Sequence, residues 1–139
     1  MKFFFDSNIL VYVFDRSSAA KREIARGLLR DHAAAGDILL STQVLQEFYV
    51  TATRKLKPPL DPAEAVEVIG GFAQLPTVQI DNLLIQAALR RSQASQLSFW
   101  DGLIIQAALT GGASVLYTED LQDGQLFDRL QVRNPFKPA

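Results

Sequence analysis

The chain has no cysteine and one histidine among its 139 residues. Without thiols it can form no disulfide, no thiolate zinc site and no cysteine nucleophile. The lone histidine, His32, falls late in a polar helical stretch and reads as a surface residue, which leaves a Ser-His-Asp arrangement without support. An excess of either charge is also missing: 14 Lys and Arg face 15 Asp and Glu, a net charge of −1. A general electrostatic nucleic-acid binder needs a clear basic excess, so any RNA contact must use local patches. Long apolar runs are absent too. Asp6 interrupts the opening run after three phenylalanines, no small-residue cleavage site follows, and no stretch is long enough to span a bilayer. The expectation is a cytoplasmic protein without a membrane partner. Gly70-Gly71 and Gly111-Gly112 match neither a phosphate-binding loop nor a dinucleotide fingerprint. A phosphoacceptor receiver domain expects an acidic pair on its first strand and a lysine after a late strand, and neither is evident.

What is present is an alternation of short strands and helices. Lys2 to Phe5 reads as a buried strand, Ile9 to Phe14 as helical, and Ser17 or Ser18 as the cap of a helix that stops at Gly36. A strand over Ile38 to Leu40 precedes a helix from Thr42 to about Leu56, whose apolar face carries Val44, Leu45, Phe48, Ala52 and Leu56. Asp61-Pro62-Ala63-Glu64 marks a new helix start, with Asp61 as cap and Glu64 reaching back. Thr77 to Ile80 is a strand candidate, Asp81 or Asn82 caps a helix to about Ser95, and a further helix runs from Phe99 to Thr110. Ser114 to Tyr117 is a strand and Val132 begins a last one. The pattern predicts one α/β domain over residues 1–139, a mainly parallel sheet flanked by helices in a three-layer sandwich. Ligands of such folds sit outside the carboxyl ends of the strands.

Within this pattern, charge occurs where charge is scarce. Asp6 is the only charged residue between Lys2 and Asp15, Glu47 between Asp37 and Arg54, and Asp101 between Arg91 and Glu119. A lone buried carboxylate costs several kcal/mol unless it is paired or metal-bound, and no basic residue lies nearby in sequence. Asp120 follows its strand as Asp6 follows the first, so in a parallel sheet both emerge at one edge. Each acid also has a local explanation. Asp6 can cap a helix, and Glu47 can be an exposed helical glutamate. Ser98 and Asp101 fit a capping box, and Asp120 can be a turn residue with Glu119 and Asp123 as competitors.

Taken together, these segments resemble PIN-domain ribonucleases. Phe5-Asp6-Ser7-Asn8-Ile9-Leu10 resembles the opening Asp–(Ser/Thr)–Asn motif of that family, and Gln46-Glu47-Phe48 its helical acid. Leu97-Ser98-Phe99-Trp100-Asp101-Gly102-Leu103-Ile104 resembles the third motif and Tyr117-Thr118-Glu119-Asp120-Leu121 the fourth. The order matches over nearly the whole chain, and the length is similar to that of VapC-type toxins from bacterial toxin–antitoxin pairs. The resemblance implies a PIN-like sandwich and endonucleolytic RNA cleavage with Mg²⁺ or Mn²⁺ at an acidic pocket. It also implies a cognate antitoxin and frequent dimers, hence a homodimer here. By position, the catalytic acids are Asp6, Glu47, Asp101 and Asp120, with Ser7, Asn8 and Thr118 as supporting polar neighbours. Mg²⁺ takes few direct carboxylates, so Asp6 and Asp101 are expected as direct ligands, and Glu47 and Asp120 directly or through water.

Substrate grip is expected from local cations. Arg22, Arg26 and Arg30 recur along one helix face, Arg54, Lys55 and Lys57 follow the glutamate helix, and Arg90-Arg91 end another. Arg22, Arg26, Arg54 and Lys55 are the candidates for RNA contact. Apolar area near residues 9 to 14 and 42 to 56 could serve a dimer or an antitoxin. The competing expectation is a catalytically silent module that acts only through a partner.

Overall fold

Phe4 and Phe5, adjacent in sequence and so on opposite faces of a strand, are both fully buried. A strand buried on both faces belongs in the middle of a covered sheet. The computed structural model describes residues 1–138 and places it there. The elements are β1 (Lys2–Phe5), α1 (Ser7–Tyr12), α2 (Ala19–Ala35), β2 (Ile38–Ser41), α3 (Thr42–Arg54), α4 (Pro62–Phe72), β3 (Thr77–Val78), α5 (Asn82–Ser95), α6 (Phe99–Thr110), β4 (Ala113–Tyr117), β5 (Leu126–Phe127) and β6 (Leu130–Arg133). The sheet order is β3-β2-β1-β4-β6-β5. Every pairing is parallel except the β5–β6 hairpin.

From β1 the chain steps outward to β2 and β3, then crosses back to β4 on the other side of β1. Right-handed crossovers in opposite directions place their helices on opposite faces. Accordingly α1, α2, α3 and α4 pack on one another, while α5 packs on α6, which crosses the sheet. This is the mainly parallel sheet flanked by helices on both faces that the sequence anticipated. Among the described residues no helix is long and apolar enough to cross a membrane.

Several boundaries differ from the sequence reading, each for a local reason. Helix α1 starts at Ser7, two residues early, because the Asp6 side chain accepts the Ser7 N–H. Strand β3 ends at Val78; the Ile80 N–H turns to the Thr42 hydroxyl at 3.2 Å instead of extending a ladder. Asp61 precedes α4 without a side-chain cap bond. The two-residue strand β5 was not foreseen, and β6 begins at Leu130. His32 is not a surface residue. Its side chain is 15% exposed, with its ring 4.2 Å from that of Phe3 and close to Phe5 and Tyr117. Its Nδ1 lies 2.8 Å from an Asp37 carboxylate oxygen and its Nε2 3.2 Å from the Tyr117 hydroxyl.

The α5–α6 packing rests on Gly102. A Cβ there would stand 3.1 Å from the Ala88 carbonyl oxygen and 3.3 Å from Ser92 Cβ. Neither backbone-anchored neighbour can swing aside. Gly102→Val is therefore expected to lower stability by about 1–3 kcal/mol, seen as a lower urea midpoint at unchanged slope. An unshifted midpoint would mean that the two helices separate without penalty.

Candidate active site

The reversal of strand order falls between β1 and β4, and a crevice opens at the carboxyl ends of strands flanking such a reversal. The register brings Phe5 beside Tyr117, and the Asp6 N–H donates to the Tyr117 carbonyl at 3.0 Å. The ladder therefore holds right up to the acid. Asp6 and Thr118 leave adjacent strands side by side. Helix α3 departs from the end of β2, and α6 runs back toward the start of β4. The first turns of α3 and α6 thus lie at the same sheet edge as Asp6.

Asp6 is 6% exposed and its oxygens are divided between neighbours. Oδ1 accepts the Ser7 N–H at 2.7 Å and Oδ2 accepts the Thr118 hydroxyl at 2.8 Å. The Asn8 amide nitrogen donates to Thr118 Oγ1 at 3.1 Å and to Asp120 Oδ2 at 3.0 Å. Because the Asp120 carboxylate can only accept, the Asn8 amide must face it with nitrogen. That orientation leaves Asn8 Oδ1 buried without a partner. On the other flank, the Ser7 hydroxyl donates to Glu47 Oε1 at 3.1 Å, and the buried Gln43 amide donates to Glu47 Oε2 and to the Trp100 carbonyl, each at 3.3 Å.

Three of the four anticipated acids, Asp6, Glu47 and Asp120, are thus joined through Ser7, Asn8 and Thr118. The half-buried Asp101 stands apart. Its amide donates to Ser98 Oγ at 3.0 Å, the expected cap, and no hydrogen bond links its carboxylate to the other three. The two competing late acids have other partners, although Glu119 lines the same cleft as Asp120. Glu119 accepts the Tyr12 hydroxyl at 2.7 Å and pairs with Lys21 at 2.9 Å, while Asp123 accepts the Asn134 N–H. Among the basic candidates, Lys55 lines the cleft that holds Ser7, Asn8 and Asp120, and also the adjoining hollow that holds Glu47. Arg26 donates to the Val13 carbonyl, Arg22 Nε is buried without a partner, and Arg54 is exposed on α3. Gln43 was not singled out from sequence, although its spacing four residues before Glu47 puts both side chains on one helix face.

Burial pushes the Asp6 carboxyl up to about 7. Hydrogen bonds from Thr118 and Ser7 pull it back, and the charges of Glu47 and Asp120 raise it further. Among the described residues no lysine or arginine forms a salt bridge with Asp6, Glu47, Asp101 or Asp120. Uncompensated hard oxygen donors and an orphaned amide oxygen fit a hard divalent cation. The observed rotamers do not close three of these acids around a single point. The fit is to a cation held by one or two carboxylates that keeps much of its water.

A PIN domain family model matches residues 3–131. Among solved structures, the chain resembles a toxin–antitoxin complex from Klebsiella pneumoniae at 18% identity and TM-score 0.71, covering 97% of this chain and 98% of that one. It resembles FitAB bound to a DNA fragment at 19% identity and TM-score 0.73, covering 99% and 97%. A third is a VapC protein of Mycobacterium tuberculosis, described as a sarcin–ricin loop cleaving toxin, at 15% identity and TM-score 0.60, covering 83% and 87%. At these identities the likeness is one of fold. No curated protein matches the chain by sequence.

The raised Asp6 carboxyl has a consequence for stability. The folded chain keeps this proton up to about pH 7, whereas the model value for a free carboxyl is 3.8. The stabilisation it represents is complete below 3.8 and is lost as pH rises to about 7. Asp6→Asn has no proton to lose. In EDTA, the variant is expected to gain on the parent protein by up to about 1.4 kcal/mol per pH unit across that window and then level off. Urea midpoints at about pH 5 and about pH 7.5 measure the difference; parallel curves would mean that Asp6 is ionised throughout.

Proposed function

We propose that this chain, which belongs to the PIN domain family, is a divalent-metal-dependent endoribonuclease and the toxin of a toxin–antitoxin pair. The observation that carries the reading is the continuous contact path Glu47–Ser7–Asp6–Thr118–Asn8–Asp120 at the strand ends, free of any pairing lysine or arginine. The description of the Mycobacterium tuberculosis neighbour as a loop-cleaving toxin supports RNA as substrate. The Klebsiella pneumoniae complex supports a cognate antitoxin as partner.

In this reading Asp6 and Asp101 are the direct carboxylate ligands, and Glu47 and Asp120 contribute directly or through water. Mg²⁺ or Mn²⁺, when bound, offsets the clustered negative charge, acidifies water and stabilises charge on phosphoryl oxygens. The protein's part is to fix the donors. Thr118 and the Ser7 amide aim the two Asp6 oxygens, the Asn8 amide sets Asp120, and Ser7 with Gln43 orients both oxygens of Glu47. Lys55 lines the cleft as a cation for the RNA backbone, with Arg22, Arg26 and Arg54, which do not line it, as further candidates. The exposed Tyr49, Val50 and Val66 on α3 and α4 offer apolar area to an antitoxin or to the second copy of a homodimer. The chain acts as one nuclease domain in the cytoplasm.

Two measurements test this reading. Mg²⁺ or Mn²⁺ should raise the melting temperature, with about 2.7 kcal/mol of stabilisation at a hundredfold excess over Kd. Cleavage of single-stranded RNA should disappear in Asp6→Asn and Asp101→Asn and fall about 10–100-fold in Asn8→Ala, which removes the amide that orients Asp120 and Thr118. Glu119→Gln should keep far more activity than Asp120→Asn. A chain that neither binds the ions nor cuts RNA would instead be a silent PIN-like binding module.

A further inference from the structure

Beside the acids lies a hollow that the proposed chemistry leaves unused. Its wall includes Gln43, Gln46, Ile80, Phe99, Trp100 and Leu103. Trp100 is 63% exposed, and the Phe99 ring stands edge-on to it at 5.1 Å between centroids. An indole left this open forgoes one of the largest apolar burials available to any side chain. No lysine or arginine lines the hollow, so it is not built for a phosphate. Its volume of about 310 Å³ is at the small end of ligand clefts, suited to one planar group.

The polar wall adds a requirement. Gln43 is 3% exposed, and its amide nitrogen donates to Glu47 and to the Trp100 carbonyl. Both of those groups are acceptors, so the amide cannot turn around. Its Oε1 consequently remains buried with no partner, and a buried acceptor in that state calls for a donor. Nucleobases carry such donors on their exocyclic amines and ring N–H groups, and present them freely only when unpaired. The hollow also adjoins the one that holds Glu47. Gln46 lines both it and the hollow that contains Ser7, Glu47 and Lys55, and Gln43 touches Glu47 itself.

We propose that the Trp100 hollow is a nucleobase subsite that stacks one unpaired base of the RNA substrate next to the scissile phosphate, with the Gln46 amide at the base edge and a small shift of the Gln43 side chain bringing its unpaired Oε1 to a base donor. The assignment rests on the ribonuclease reading and adds to it a contact, a stack on Trp100 for one base that is free of its helix. Stacking on an aromatic side chain is tolerant of base identity, so the subsite selects unpaired structure first and sequence second.

Trp100 is the sole tryptophan of the chain, so its fluorescence reports the subsite directly and without cleavage. In EDTA, a short single-stranded oligoribonucleotide of mixed sequence should quench Trp100 saturably, and the same RNA annealed to its complement should not. By anisotropy of a labelled oligonucleotide, Trp100→Ala should weaken binding roughly tenfold, the order of one lost stack, and Trp100→Phe should restore most of it. With Mg²⁺ or Mn²⁺ added, Trp100→Ala should raise KM more than it lowers kcat. Trp100 is exposed, so the urea midpoint of its variants should match the parent, which separates lost binding from lost folding. RNA cleavage without quenching, and unaffected by Trp100→Ala, would overturn the subsite and leave the nuclease reading intact. Quenching without cleavage would keep base binding at Trp100 but overturn the nuclease reading and with it the place of the hollow beside a scissile phosphate. Equal quenching by duplex, or an emission shift that depends on protein concentration alone, would overturn the subsite in favour of backbone contact or of a second copy covering Trp100.

Discussion

A carboxylate is held at the seam between two parallel strands, and the rest of the site is arranged around that fact. Asp6 lies where β1 and β4 part, with its backbone still in the ladder and its side chain out of water. Burying a charge there is unfavourable, and the fold answers with neutral donors, a hydroxyl and a backbone amide, in place of a lysine or arginine. A basic partner would satisfy Asp6 permanently. Neutral donors orient it and leave its charge available to something that comes and goes.

The same economy separates neighbouring acids. Glu119 and Asp120 are consecutive, yet only Asp120 reaches the Asn8 amide. Glu119 is drawn away by Lys21, whose ammonium also lies 4.8 Å from the Tyr12 ring centroid and 5.3 Å from that of Phe136. Repulsion between carboxylates in one crevice grows steeply as they approach in a medium less polar than water. Pairing one of two adjacent acids with a lysine offsets part of the charge in the cleft that both line, which matters most when no cation is bound.

Much of this was legible from residues alone. The strands and most helices follow from apolar runs and their caps, and the isolation of Asp6, Glu47 and Asp101 in uncharged stretches pointed to one shared location. Parallel pairing then placed Asp6 beside the segment carrying Asp120. What sequence could not supply was side-chain direction. Asp101 sits in the first turn of α6, as anticipated, without a hydrogen bond to the other acids. His32 looked exposed because its helix is polar, whereas aromatic rings from β1 and β4 enclose it. Which of Glu119, Asp120 and Asp123 bonds to the Asn8 amide depends on partners more than ten residues distant in the chain, Lys21 and Asn134 among them, which no local pattern encodes. Strand β5 is held by a turn through Asp128, which adopts a positive φ of 54°, a conformation more accessible to aspartate than to most residues.

The two outermost strands, β3 and β5, contain two residues each. An open sheet margin normally presents a row of unpaired amides and carbonyls on which a foreign strand can assemble. Here each margin is too short to serve as a template, so the sheet is closed to growth by strand addition. A partner that docks on the helical faces and loops instead would leave the six-stranded core the same size in the assembly.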